Sequence, residues 1–309
     1  MSATAPAGRF APSPSGELHV GNLRTAVLAW LFARTTGRRF LLRMEDLDRT
    51  AVGADAGQIA DLRALGIDWD PPVIYQTTRR ESYRAIVEEL RDEGRTFECF
   101  CTRREILEAP SAPHAPQGAY PGTCRDLTDA QRAERQASGR PPAIRIRADV
   151  TTFEVHDVLH GDYRGMVDDF VICRNDGTPA YNLAVVVDDA AESIDQVVRG
   201  DDLLSSAPRQ AWLATVIGAS PPTYAHVPMV LNADHVRLSK RDGAVTLADL
   251  AADGVSPTTV LSHIAHSLDL AARDEFVDLD LLARRFDPDA LPREPWILTA
   301  SEWASPGAG

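Results

Sequence analysis

Lysine is almost missing from this chain: among its 32 basic residues the only lysine is Lys240. Arginine therefore fills nearly every position that needs only positive charge, and the surviving lysine either marks a specific chemical task or is a chance retention. Cysteine is also scarce, with four residues in 309, at positions 99, 101, 124 and 173. That number is too small for a disulfide framework in a chain of this length, and the clustering of three of them points to metal ligation or to no role at all. No apolar run approaches the ~20 residues that a membrane helix requires. The opening MSATAPAGRFAPSP has neither the charged nor the apolar region of a secretory signal, so a cytoplasmic address is expected. Aromatic residues make up only 6%, but 44% hydrophobic and 25% charged residues are ordinary for a globular protein and exclude a disordered or fibrous chain. The length suits one large domain or two small ones.

Negative charge is unevenly distributed. Residues 1–150 hold 21 basic and 20 acidic groups, whereas residues 151–309 hold 11 and 25, so the second half carries all of the net charge of −13. A broad basic surface for nonspecific duplex binding is therefore excluded, while a local arginine groove for a structured RNA is not.

The chain opens as a strand at 9–11, a loop broken by proline and glycine at 12–21, and an apolar helix over about 22–35. A second strand at 39–44 precedes the acidic segment Glu45-Asp46-Leu47-Asp48, and helical patterns follow at 55–65 and, with Thr78 as N-cap, at 79–93. Strands alternating with helices predict a parallel, doubly wound α/β sheet. Residues 96–165 break the rhythm with a cysteine pair, the stretch APSAPHAPQGAYPGTC and the strand-like IRIRADVTTFEV, and read as an inserted subdomain. Alternation resumes through MVDDFVICR and AYNLAVVVDDA, with a helix near 205–217 and a strand at HVPMVL. From Thr246 the pattern is helical, and a disordered tail is expected at 301–309.

Two short elements carry chemistry. His19-Val20-Gly21-Asn22 places an imidazole and a glycine at a helix N-terminus, where unpaired N–H groups and the helix dipole favour phosphate. On those four residues alone, a histidine that merely caps the helix explains the pattern. Arg237-Leu238-Ser239-Lys240-Arg241 is a basic loop bearing the only lysine, and by itself it could be a solvated turn.

Together, RFAPSPSGELHVGN at 9–22 and the later RLSKR loop resemble the paired ATP-binding signatures of class I aminoacyl-tRNA synthetases, in particular the glutamyl and glutaminyl branch. The resemblance covers about residues 8–300. Many class I enzymes carry a second histidine where this chain has Asn22, and Arg237 and Arg241 stand at variable positions, so Ser239 and Lys240 are the transferable part of the second signature. The resemblance implies a Rossmann-like doubly wound parallel sheet divided into residues 1–95 and 166–235. It further implies a zinc-binding insertion at 96–165, a lysine-loop and helical stem-contact region at 236–300, and no anticodon-binding domain. ATP would contact His19, Gly21, Asn22 and Lys240, with His19, Ser239 and Lys240 as the catalytic groups and Mg2+ on the nucleotide. L-glutamate would contact Arg9, Phe10, Ala11, Pro12, Ser13, Glu45, Tyr181 and Arg199, with Glu45 receiving the ammonium and an arginine suited to bidentate capture of a carboxylate. In isolation Glu45 reads as a helix-initiating acid and Tyr181 as a core aromatic.

Cys99, Cys101 and Cys124 supply three thiolates, and zinc prefers four ligands. Ligand chemistry nominates His114 for the fourth place. The resemblance points instead to Tyr120, in the C-x-C…Y-x-x-x-C arrangement of a short group within the family, and three reduced structural thiols remain the alternative. Cys173, between Ile172 and Arg174, reads as a buried small hydrophobe. That short group implies tRNA-independent activation of glutamate and its transfer to the queuosine base in the anticodon of tRNA(Asp), by a monomer. A short conventional enzyme charging tRNA(Glu) or tRNA(Gln), and a silent paralogue acting as a regulator, are the alternatives.

Overall fold

The second strand, R-F-L-L-R-M, alternates between two destinations: Phe40, Leu42 and Met44 join one core, while Leu41 joins another on the opposite face. That period-two pattern, buried on both sides, describes a central strand covered by helices on both faces. The computed structural model describes residues 5–48, 50–108, 119–236, 238, 245–273 and 275–303, and it has this architecture. β1 (Ala7–Phe10), α1 (Val20–Thr35), β2 (Arg39–Met44), α2 (Ala54–Ala64), β3 (Ile74–Tyr75) and α3 (Arg80–Asp92) form the first half. β4 (Thr96–Cys99), α4 (Arg103–Glu108), α5 (Asp129–Ala137), β5 (Ala143–Ile146), the hairpin β6 (Thr152–Asp157) and β7 (Gly161–Met166), and β8 (Val171–Cys173) follow. Then come α6 (Tyr181–Glu192), β9 (Ile194–Gly200), α7 (Ala207–Val216), β10 (Thr223–Val227), β11 (Val230–Leu231), α8 (Leu247–Ala252), α9 (Pro257–His266), α10 (Leu279–Arg285) and β12 (Trp296–Ile297).

Seven strands form the main sheet in the order β3-β2-β1-β9-β10-β6-β7, parallel except for the β6–β7 hairpin. α1 packs on one face with residues of α9 and α10, and α6 and α7 pack on the other. Successive strands run outward from β1 in one direction and from β9 in the other. The order therefore reverses between β1 and β9, and a crevice opens beyond their C-terminal ends. Arg24, buried on α1, donates from Nη1 to the Pro228 carbonyl at 2.8 Å and from Nε to Ser267 Oγ at 3.1 Å, which ties the C-terminal helices to the sheet.

Three expectations need correction. The insertion does not run from 96 to 165: β6 and β7 belong to the main sheet, and the separate antiparallel sheet is β4-β5-β8, which borrows β8 from the segment assigned to the second catalytic half. The hairpin joins the main sheet because α7 lies across it, with Val155 in one cluster with Ala207 and Ala211. Thr78 is not an N-cap; residues Gln76–Arg79 form a 3-10 turn in which Thr78 Oγ1 donates to the Tyr75 carbonyl at 2.7 Å. Of the expected tail, residues 301–303 belong to the 3-10 turn Ala300–Trp303, since Trp303 lies 5.0 Å from the His263 ring, while 304–309 fall outside the described residues.

The seat of the hairpin can be tested at Gly165. A Cβ there would fall 2.6 Å from Pro208 Cγ and 3.0 Å from Tyr163 Cε1. Pro208 stands in the first turn of α7 and cannot rotate away. Gly165→Ala is expected to cost about 1–3 kcal/mol in urea unfolding, the usual range for overpacking; an unchanged midpoint would show that the hairpin does not rest on α7.

Candidate active site

The crevice between β1 and β9 holds a cavity of about 600 Å³. Its lining includes Arg9, Phe10, Ala11, Pro12, Ser13, His19, Gly21, Asn22, Glu45, Tyr181 and Arg199, so the structure brings together every expected glutamate and nucleotide residue that lies among the described ones. Phe10 is there by position only, since its ring belongs to the core under α1. Ser239 and Lys240 lie outside the described residues. The flanks of their loop are described: Leu238 is buried in the main core, and the Val245 carbonyl accepts from the Val20 N–H at 3.0 Å. Thr246 then forms a bridge with His19.

His19 caps α1 and faces the cavity as well. Its Nδ1 accepts from the Asn22 N–H at 3.3 Å, and Asn22 Oδ1 accepts from the His19 N–H at 3.3 Å. The capping reading of this histidine is met, and the same residue lines the cavity. Because Nδ1 is an acceptor, the neutral ring carries its proton on Nε2, the tautomer that can donate to an anionic oxygen.

Beneath the cavity lies a buried charge network that comes from strand alternation. Arg9 on β1 and Arg43 on β2 point to the α6 face, where Asp188, Asp189 and Glu192 occupy the buried side of the helix. Arg43 donates to Asp189 Oδ1 at 2.7 Å and to Glu192 Oε2 at 2.8 Å, and Arg9 donates to Asp189 Oδ1 at 3.2 Å. Asp188 accepts from Tyr83 Oη at 2.8 Å, Gln76 Nε2 at 2.8 Å and Arg79 Nε at 2.5 Å. Glu45 is the outermost member, with Oε1 3.9 Å from Arg43 Nη2. Burial opposes ionisation of Asp189, but Arg9 and Arg43 hold it below the usual carboxylate range. For Glu45 burial prevails over the same two arginines, and its pKa is pushed up to about 7. The network thus sets Arg9, Arg43 and Arg79 against Glu45, Asp188, Asp189 and Glu192, and one further cation beside Glu45 would balance it.

Tyr181 begins α6 and stands at the cavity, 40% exposed, so it is not a core aromatic. Gln58 on α2 donates from Nε2 to the carbonyls of Ser13 at 3.1 Å and Gly16 at 2.6 Å, which fixes the loop around the cavity. Sequence reading missed Gln58, Arg43 and the three α6 acids. The last had a legible signal: Asp188 and Asp189 follow an unbroken apolar run, which places acids where only partnered charges are tolerated.

In the small sheet, Cys99, Cys101 and Cys124 bring their sulfurs within 4.8 Å of one another. Cys101 and Cys124 Sγ are 3.5 Å apart, and Tyr120 Oη sits 3.5 Å from Cys99 Sγ while accepting from the Cys124 N–H at 2.7 Å. A tetrahedral centre with metal–sulfur bonds of about 2.3 Å has ligand edges of about 3.8 Å. Three thiols and a phenol at these separations fit such a centre after small adjustments. Tyr120 Oη thus stands beside the three thiols; His114 lies outside the described residues. The Arg145 guanidinium stacks 3.8 Å from the Tyr120 ring centroid. Burial raises the Cys99 thiol, but Tyr120 and Arg145 outweigh it and hold the thiol below its ordinary range, whereas burial and the neighbouring thiols push Cys101 up to about 12. Cys173 is only half-buried, at the edge of this sheet.

Comparison with known proteins agrees with this geometry. The family model described as tRNA synthetases class I (E and Q), catalytic domain, matches residues 7–302. The chain is 65% identical over 293 residues to the glutamyl-Q tRNA(Asp) synthetase of Nocardia farcinica, covering 95% of this chain and 93% of that protein. It is 54% identical over 270 residues to the protein of that name from Cutibacterium acnes, covering 85% and 76%. Among solved structures it is similar to a glutamate tRNA ligase from Elizabethkingia meningosepticum in complex with its amino acid, with a TM-score of 0.80, 25% identity, and coverage of 97% of this chain and 68% of that one.

Replacement of Cys101 by serine removes one of the three clustered thiols. The variant is expected to lose bound metal, measured by elemental analysis of the purified protein, and to lose amide-exchange protection in β4 and β5 while that of α1 is retained. Full metal stoichiometry would remove Cys101 from the ligand set.

Proposed function

The chain belongs to the class I tRNA synthetase family of the glutamate and glutamine branch, and on that premise we propose that it is a ligase that activates L-glutamate with ATP, without tRNA. The activated glutamate then passes to the queuosine base in the anticodon of tRNA(Asp). The observation that carries the reading is the convergence of two features in one crevice. One is a cationic and acidic lining matched to an amino acid with a second carboxylate; the other is a histidine-capped helix N-terminus matched to phosphate. The choice of acceptor is supported by the relatives named glutamyl-Q tRNA(Asp) synthetase, which align over 95% and 85% of this chain.

The residues have complementary tasks in this reading. Glu45 receives the substrate ammonium beside Arg9, Arg199 takes the side-chain carboxylate with Tyr181, and the 11–13 backbone borders the amino acid. The α-carboxylate oxygen attacks the α-phosphorus of ATP; its new P–O bond forms as the bond to the β-phosphate breaks, and pyrophosphate leaves. No protein nucleophile is needed, so catalysis is positioning and charge stabilisation. The Nε2–H of His19, Lys240 and Ser239 meet the charge that develops on the phosphates, with Gly21 and Asn22 presenting the first turn of α1. Mg2+ arriving with ATP supplies neutralisation of the departing pyrophosphate. A hydroxyl of the modified base then attacks the acyl carbon and AMP leaves. Zinc is the metal assigned to Cys99, Cys101, Tyr120 and Cys124, where it holds the small sheet and takes no part in the transfer.

Glutamate-dependent ATP–pyrophosphate exchange in the absence of tRNA tests this directly. Exchange with glutamate and none with glutamine is the expected result, followed by a glutamyl ester on queuosine in tRNA(Asp). Exchange that appears only when tRNA(Glu) is added would identify a conventional glutamyl-tRNA synthetase, and no exchange under either condition would leave a regulator.

A further inference from the structure

Arg199 is held in an uncommon way. It is buried at the end of β9, yet its partners are all neutral: Nε donates to His226 Nε2 at 2.9 Å, Nη1 to Gln210 Oε1 at 2.7 Å, and Nη2 to the Leu203 carbonyl at 3.4 Å. Among the described residues no carboxylate lies within ion-pair distance of it. Arg9, Arg43 and Arg79, by contrast, each meet α6 carboxylates directly. Behind His226 stands Asp157, fully buried at the end of β6, whose Oδ2 lies 2.6 Å from His226 Nδ1 and accepts from the His226 backbone N–H at 3.0 Å. Its other oxygen accepts from the N–H groups of Leu159 and His160 at 2.8 and 3.0 Å. Every acceptor position of Asp157 that the geometry offers is used to keep it fixed.

The chain of bonds has one consistent proton pattern. Arg199 can only donate, so His226 Nε2 must be the acceptor and Nδ1 must carry the proton that goes to Asp157. The imidazole is thereby locked neutral in a single tautomer, with the Tyr224 ring stacked on it at 5.5 Å. Gln210 is locked in the same manner, since its Nε2 donates to Asn182 Oδ1 at 2.9 Å and so turns Oε1 toward the arginine. A carboxylate in place of His226 would also hold the guanidinium, but it would cancel the charge a ligand is meant to meet. The imidazole keeps the acceptor and places the negative charge one residue further away.

We infer that Asp157 and His226 form a positioning relay that orients Arg199 while leaving its positive charge for the substrate, and that this relay sets the preference for an acidic over an amide side chain. The inference rests on the reading that Arg199 takes the side-chain carboxylate of glutamate. His226 and Asp157 touch no substrate and are positioning residues. It also explains why the β6–β7 hairpin is part of the main sheet: β6 pairs with β10 at Asp157 and Tyr224, and that pairing brings the carboxylate to the histidine.

The test is ATP–pyrophosphate exchange by the full chain with glutamate and, separately, glutamine, for wild type, Arg199→Ala, His226→Ala, His226→Gln and Asp157→Asn. His226→Ala is expected to raise the glutamate KM about 10- to 100-fold, the scale of a lost hydrogen bond to a charged group, with the ATP KM within about twofold. The glutamate-over-glutamine ratio should fall by the same factor. His226→Gln, whose Oε1 can accept from Arg199 Nε, should recover most of both. Asp157→Asn, which keeps the shape but frees the tautomer, should lower the ratio by a smaller factor and carries the test if His226→Ala does not fold. The relay is overturned if either variant keeps the glutamate KM and the ratio, or loses glutamate, glutamine and ATP alike, while Arg199→Ala alone loses glutamate. Absence of glutamate-dependent exchange in the wild type would instead overturn the functional reading beneath it.

Discussion

The structure depends on a guanidinium with no access to water. Arg43 projects from β2 onto α6, where its two terminal nitrogens donate to Asp189 and Glu192, while Nε stands 3.8 Å from Asp188 without a hydrogen-bond partner. A lone buried cation would cost several kcal/mol, and removal of one partner from such a group is typically worth about 3–5 kcal/mol. The network therefore fixes the register of α6 against β1 and β2. That register in turn places Tyr181, at the start of α6, and Glu45, one residue beyond β2, in the lining of the same cavity. Stability and site geometry are two consequences of one set of ion pairs.

The topology supplies what the network does not. With the strand order reversing between β1 and β9, the loop after β1 and the turn after β9 must diverge, and the cavity is the space they leave. α1 begins at the same crevice, capped by His19, so the helix N-terminus and the charged residues share one cavity lining. Two kinds of arginine meet there. Arg9 is neutralised by Asp189 and serves as structure at the pocket floor; Arg199, held through neutral acceptors, remains cationic at its far end.

Much of this was legible in the sequence. The first signature, the acidic turn at Glu45, Tyr181 and Arg199 were each placed by resemblance to known motifs, and strand–helix alternation indicated the parallel sheet. The cysteine spacing found three thiols, resemblance nominated Tyr120 over His114, and the structure adds that the Tyr120 hydroxyl lies between Cys99 and the Cys124 N–H. What local pattern could not reveal are partnerships across long separations. Arg43 reads as an ordinary strand residue until α6, about 146 residues later, is laid across it. His226 falls in a stretch expected only as a strand, and Asp157 within the expected insertion, with nothing local to pair them. The boundary of that insertion was misjudged for the same reason: proline-rich spacing marks where a rhythm breaks, whereas the return of β6 to the main sheet depends on its pairing with β10.

With Glu45 ionised, four carboxylates face three guanidiniums, and in the proposed function the substrate ammonium supplies the missing positive charge. Burial raises Glu45 to about 7, so in the unliganded protein ionisation of this carboxyl costs stability, a cost absent at low pH and complete above neutrality. An ammonium beside it restores the carboxylate and expels the proton. Calorimetric titration with glutamate in buffers of different ionisation enthalpy measures that proton directly. Release of about one proton per glutamate is expected at pH 6, about half at pH 7 and almost none at pH 8, and Glu45→Gln should abolish it. Glutamate binding with no buffer dependence at pH 6 would contradict it.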